Sequence, residues 1–148
     1  EEILADRPGV RFLSLFQWPL FPHRRMEPTP SNAVLSPLPA GAGGEDIRNV
    51  VENVWLPEID KFQPDLMILS AGFDAHCEER IAQLKAGEMD YACVTRLLVE
   101  ASFAYCEGRL VSVLEGGYEL RSLARSVFTH LQGLIRNPLP AETCKDPN

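Results

Sequence analysis

Apolar positions recur at three- and four-residue spacing in three stretches of the chain, and elsewhere they gather in short unbroken runs. Over residues 45–62 the recurrence runs Ile47, Val50, Val51, Val54, Trp55, Ile59 and Phe62, which predicts one helix with a single apolar stripe. Glu45 and Asp46 fall in its first turn, where the helix dipole favours negative charge. Pro57 removes a backbone hydrogen bond, so the last turn should kink or restart there. A second helix is predicted over 89–106, with Cys93, Val94, Leu97, Leu98, Ala101, Ala104 and Tyr105 inward and Gly108 just past its end. The third, over 119–136, has the cleanest stripe: Leu120, Leu123, Ala124, Val127, Phe128, Leu131, Leu134 and Ile135. Asn137-Pro138 stops it, and a flexible tail over 137–148 is expected.

The unbroken runs read as buried strands: 10–15, 66–69 and 110–114, with a short edge strand at 32–35 inside a proline-rich loop. Strands alternating with helices specify an α/β domain whose sheet is mostly parallel and covered by helices. In such sheets a ligand crevice lies beyond the carboxyl ends of the strands. That rule brings three loops to one edge: 16–25, 73–83 and 115–118.

Composition narrows the picture. The 148 residues, with 45% hydrophobic and 24% charged content, suffice for one domain with a real core, here placed at about 10–136. A net charge of −7 argues against nucleic-acid binding and an anionic membrane surface, and suits a small basic substrate. No secretory segment or bilayer-length apolar run is present in these residues. Cys77, Cys93, Cys106 and Cys144 form no CxxC pair, which reads as free thiols in a reducing, cytoplasmic setting. The first methionine is Met26, so the chain is expected to be a fragment, a processed product or a partial gene product.

Two loops carry the candidate chemistry. Asp74, His76 and Glu79 follow a buried run, and their spacing fits either a zinc-type ligand set or a solvated acidic loop. Glu115-Gly116-Gly117-Tyr118 ends another run. Paired glycines there signal an unusual backbone angle or a close approach, and the tyrosine can donate its phenolic proton to a polarised carbonyl. No P-loop and no GxGxxG pattern is present. His23, beside Arg24 and Arg25, is read as solvent-facing, and His130 as structural or exposed.

Ser-Ala-Gly-Phe-Asp-Ala-His (70–76) and Leu-Glu-Gly-Gly-Tyr-Glu-Leu (114–120) together closely resemble the zinc-dependent histone deacetylase family, in its bacterial and class II flavour that includes acetylpolyamine amidohydrolases. Pro-Leu-Pro-Ala-Gly (37–41), Phe-Gln-Pro-Asp (62–65) and Ala-Arg-Ser-Val (124–127) support the resemblance, which spans about 10–135 and matches only the carboxyl-terminal part of that domain. It implies a partial three-layer α/β/α fold of the arginase–deacetylase type. It implies hydrolysis of N-acetyl-lysine or acetylated polyamine amides by a zinc-bound water, with a tyrosine steadying the oxyanion.

Carried over by resemblance, Tyr118 is the oxyanion tyrosine, Gly116 and Gly117 line the substrate channel, and Ser14 belongs to a site for a structural monovalent cation such as potassium. Glu79 stands where the family has its later zinc aspartate, and Arg80 follows where an acidic residue or proline is usual. A zinc site needs its ligand distances within about 0.2 Å, so the added methylene predicts weakened metal binding. The family's Asp-x-His ligand pair and tandem histidines belong to preceding segments, and Asp74-Ala75-His76 only imitates that pair. The expectation is therefore an inactive isolated chain that self-associates through an exposed sheet edge. The competing expectation is a non-catalytic binding or scaffold protein that reuses the fold.

Overall fold

The computed structural model describes residues 2–20 and 29–135. His23, Arg24, Arg25 and the tail 137–148 lie outside the described residues.

Two parallel ribbons rest on a layer of helices. β1 (Phe12–Gln17) pairs with β2 (Ala33–Leu38), placing Ser14 opposite Leu35. β3 (Met67–Ala71) pairs with β4 (Leu110–Leu114), placing Ala71 opposite Leu114. Among the described residues the ribbons are not hydrogen-bonded to each other, so β1 and β3 each keep an open edge. β4 has the bounds that its apolar run predicts, whereas β1 starts and ends two residues later than the run 10–15. The bond from the Trp18 amide to the Leu38 carbonyl, 2.8 Å long, extends that pairing past Gln17.

The single helix expected over 45–62 is continuous but changes pitch. α1 (Gly44–Val50) passes through one π-helical turn (Val51–Trp55) into α2 (Leu56–Phe62). The Leu56 amide bonds the Val51 carbonyl five residues back. Pro57 has no N–H and its ring crowds the Asn53 carbonyl, so a widened turn accommodates it without a break. α3 (Glu88–Cys106) and α4 (Leu120–Leu134) complete the layer. α1 and α3 begin alike. Asp46 Oδ2 accepts from the Gly43 amide and Asp90 Oδ2 from the Gly87 amide, both at 2.8 Å, satisfying donors that a helix start leaves unpaired.

Val51, Ile59, Leu98 and Ala101 form the main core, and Leu13 of β1 packs on it beside Met67 and Leu69 of β3. Both ribbons therefore share one helical floor. Side chains alternate along a strand, so Ile68, Val111 and Val113 point away from that floor; they are 69%, 50% and 48% exposed. Parallel sheets are ordinarily covered on both faces. Among the described residues one helical layer and the two ribbons are present and a third layer is not, a partial α/β/α sandwich.

α4 reverses the face its stripe suggests. Ser122, Ser126 and His130 are buried against the layer, while Leu120, Phe128, Leu131 and Ile135 are exposed. The same choice of polar contacts buries Thr95 and Ser102 on α3 and leaves Ala104 exposed. The thiols of Cys77 and Cys106 are free as expected, but Cys93 is disulfide-bonded.

Candidate functional site

β3 and β4 end side by side, and the loops beyond them stay paired. The Glu115 amide donates to the Ala71 carbonyl at 3.1 Å and the Phe73 amide to the Gly116 carbonyl at 2.9 Å. The end of β1 joins them, since the Gln83 amide donates to Gln17 Oε1 at 2.6 Å. The described end of the first loop, at Gln17, thus shares one edge with the loops 73–83 and 115–118, as the strand order predicts.

The glycines are there for close approach. A Cβ on Gly116 would lie 2.8 Å from the Asp74 carboxylate. Gly117 has φ +129°, and a Cβ there would lie 2.7 Å from Leu123 Cδ1 and 3.2 Å from Phe73 Cβ. Tyr118 follows, 61% exposed. It stands at a cleft of about 390 Å³ between the ribbons, lined among others by Leu15 and Phe16 of β1, Leu69 of β3, Trp55, and Tyr91 of α3. Trp55 Nε1 is buried there without a hydrogen-bond partner among the described residues, and the Tyr91 hydroxyl is buried against the Ala75 backbone.

Asp74, His76 and Glu79 go three separate ways. Asp74 packs on Gly116 and Gly72, where burial, and then the nearby negative charge of Glu79, push its carboxyl pKa up. His76 is 2% exposed, and its Nδ1 accepts from the Glu78 amide at 3.0 Å. That bond assigns the proton to Nε2, which faces Glu88 Oε1 at 3.5 Å, while the ring stacks on Tyr91 with centroids 6.5 Å apart. Arg125 pairs with both Glu78 and Glu88 and holds the Glu88 carboxyl below the usual range.

Glu79 reaches across to the other loop. Its Oε2 accepts from the amides of Tyr118 at 2.7 Å and Glu119 at 3.3 Å, and its Oε1 from its neighbour Arg80 at 3.1 Å. Burial pushes its carboxyl pKa up, but those three backbone donors outweigh burial and leave it lowered. Among the described residues no three His, Cys, Asp or Glu side chains converge as a metal would require. These residues alone do not fit a zinc site. Ser14 lies mid-β1 opposite Leu35, with the strand parity that faces away from the helices.

Two further residues shape this edge: His130, read from the sequence as structural or exposed, and Tyr91, which the sequence does not single out. His130 is buried, its Nδ1 2.7 Å from Thr95 Oγ1 and its Nε2 2.8 Å from Ser112 Oγ. Thr95 already donates to the Tyr91 carbonyl at 2.6 Å, so His130 Nδ1 carries the proton and Ser112 donates to Nε2. Its edge meets Phe73 at 5.6 Å between centroids. Tyr91 is the other. Neither lies in a motif, and only the meeting of α3, α4 and β4 reveals them.

The chain is similar to several known proteins. It is 32% identical over 148 residues to histone deacetylase 10, chloroplastic, of Oryza sativa subsp. japonica, covering 96% of this chain and 33% of that protein. It is 38% identical over 100 residues to the polyamine deacetylase HDAC10 of Mus musculus, covering 68% of this chain and 14% of that one. The solved HD domain of HDA15 superposes with a TM-score of 0.79 at 27% identity, over 93% of this chain and 41% of that domain's chain. This chain thus spans well under half the length of each. The histone deacetylase domain model matches residues 1–134. On that match, and on the parallel α/β architecture with its Gly-Gly-Tyr loop, the chain belongs to the histone deacetylase family.

Proposed function

We propose that the chain is the carboxyl-terminal part of a zinc-dependent amide hydrolase acting on N-acetylated lysine or polyamines. The observation that carries this reading is Tyr118 standing exposed at the mouth of the cleft between the open edges of β1 and β3. A hydroxyl held there by a fixed loop suits donation to a developing oxyanion. Gly116 and Gly117 keep the loop slim beside it, as a channel wall requires. The sheet has room for further strands at its open edges, and its uncovered face calls for a further layer. On this reading the metal and the general base come from other segments of the parent domain, and the isolated chain turns nothing over.

The test has two parts. Zinc stoichiometry and turnover of acetyl-lysine and N-acetylated polyamine are measured on the 148-residue chain, where no turnover is expected. In a longer chain that carries the family's preceding segments, Tyr118→Phe should lower kcat by about 10²–10³, the usual effect of losing one oxyanion donor. Turnover by the short chain overturns its inactivity, and an unchanged kcat in the longer Tyr118→Phe chain overturns the role of Tyr118.

A second reading, a non-catalytic binding or scaffold protein on the same fold, is favoured by the engagement of both Glu79 oxygens with backbone amides. No turnover in the longer chain would select it.

A further inference from the structure

Glu79 is bonded to the amide of the very tyrosine on which the chemistry rests. Its carboxylate crosses from the loop after β3 to the start of α4, 39 residues further along the chain, and takes two successive amides there. Those amides belong to the residues that precede α4, where a helix presents its unpaired donors and favours negative charge. The second oxygen closes on the Arg80 amide. Neither oxygen of this carboxylate hydrogen-bonds to the side chain of Asp74 or His76 in the same loop. His76 is committed to the Glu78 amide and stacked on Tyr91, and Asp74 is packed on Gly116.

The length of the side chain is what makes the crossing possible. An aspartate at this position is one methylene shorter. With the same backbone it falls more than an Å short of amides that now sit at hydrogen-bond distance.

We propose that Glu79 is a positioning residue, a clamp that fixes the backbone of Tyr118 by tying the loop after β3 to the start of α4, and that it does not serve as a metal ligand. This rests on the reading of Tyr118 as an oxyanion donor only for its functional meaning. The clamp itself is a statement about two amides. Glu119 then caps α4 by accepting from the Arg121 amide at 3.4 Å, so the tie runs from the acidic loop through Tyr118 into the helix.

Amide hydrogen exchange resolved at single residues tests it on the 148-residue chain, comparing Glu79→Ala, Glu79→Gln and Glu79→Asp with the unmodified protein. Glu79→Ala should speed exchange at Tyr118 and Glu119 about tenfold or more relative to the amides of β4, the effect of losing a charge-assisted hydrogen bond. Glu79→Gln keeps an acceptor oxygen and should restore much of the protection, while Glu79→Asp should resemble Glu79→Ala. If Glu79→Ala unfolds the chain, the ratio of Tyr118 to β4 exchange in Glu79→Asp decides. Exchange at Tyr118 and Glu119 within threefold of the unmodified protein overturns the clamp. So does one-to-one binding of zinc alone to the unmodified chain that Glu79→Ala abolishes. Neither readout uses turnover, so failure of the deacetylase reading leaves the clamp standing, and failure of the clamp leaves the role of Tyr118 to its own test.

Discussion

The Asp74 carboxylate fills the space that a side chain on Gly116 would need: a Cβ there would sit 2.8 Å from its Cγ and Oδ1. Gly116 is held by the bond from the Phe73 amide to its carbonyl, so it is the Asp74 side chain that would have to turn away. Gly116→Ala should therefore cost about 1–3 kcal/mol, read as a shift in urea midpoint. In an Asp74→Ala background the same change should cost well under 1 kcal/mol, since the two positions share one contact. Equal costs in both backgrounds would sink this account.

Burial holds the His130 imidazole below its ordinary pKa of 6.5. The folded chain keeps it neutral while the unfolded chain takes up a proton, so its contribution to stability is present above pH 6.5 and is lost as pH falls below that value. His130→Gln should remove this slope, measured as the difference between the two urea-denaturation curves from pH 7 down to pH 5. The buried Asp74 carboxyl, raised by desolvation, acts in the opposite sense: it favours the folded state as pH falls toward the ordinary carboxylate value of 3.8. Taking the difference between the two proteins cancels it. The same slope in both proteins, so that their difference is flat from pH 7 to pH 5, would count against the neutral bridge.

Tyr118 is largely exposed and its hydroxyl holds nothing in place. Tyr118→Phe should change stability by no more than about 0.5 kcal/mol. Glu79→Ala should cost about 1.5–3 kcal/mol, because it removes the charged acceptor shared by the Tyr118, Glu119 and Arg80 amides. Thermal melts of the two variants side by side separate the residue that acts from the residue that places it.

Ile68, Val111 and Val113 make an apolar face without cover, flanked by open strand edges. The isolated chain should elute in sizing experiments well above its 16.5 kDa. Replacing Ile68 and Val111 with threonine, a good strand former, should move it toward the monomer. A monodisperse monomer of the unmodified chain contradicts the expectation.

How far the sequence carried the fold differs from residue to residue. The run Leu110–Leu114 was legible to the residue, because five consecutive apolar or small positions between turn signals leave little choice. Its Gly-Gly-Tyr sequel was legible too, as a demand for close approach, though the atoms that approach were not. The helix over 45–62 was legible as a stripe, and the π turn was not, since it is a local answer to Pro57 that leaves periodicity almost unchanged. Glu79 was legible by position, and its contacts were not. Its partners are backbone amides, which every residue but proline has, and no pattern of side chains announces them.

The reversed face of α4 has a consequence for rotational setting. Its sequence prefers one roll about the helix axis, with the leucines inward, and its neighbours impose another, with Ser122, Ser126 and His130 inward. The bonds from His130 to Thr95 and Ser112 act as a key, admitting the helix at one angle alone. Leu120, Phe128, Leu131 and Ile135 are left outward by that setting, while Leu123, Val127 and Leu134 stay half-buried at its margins.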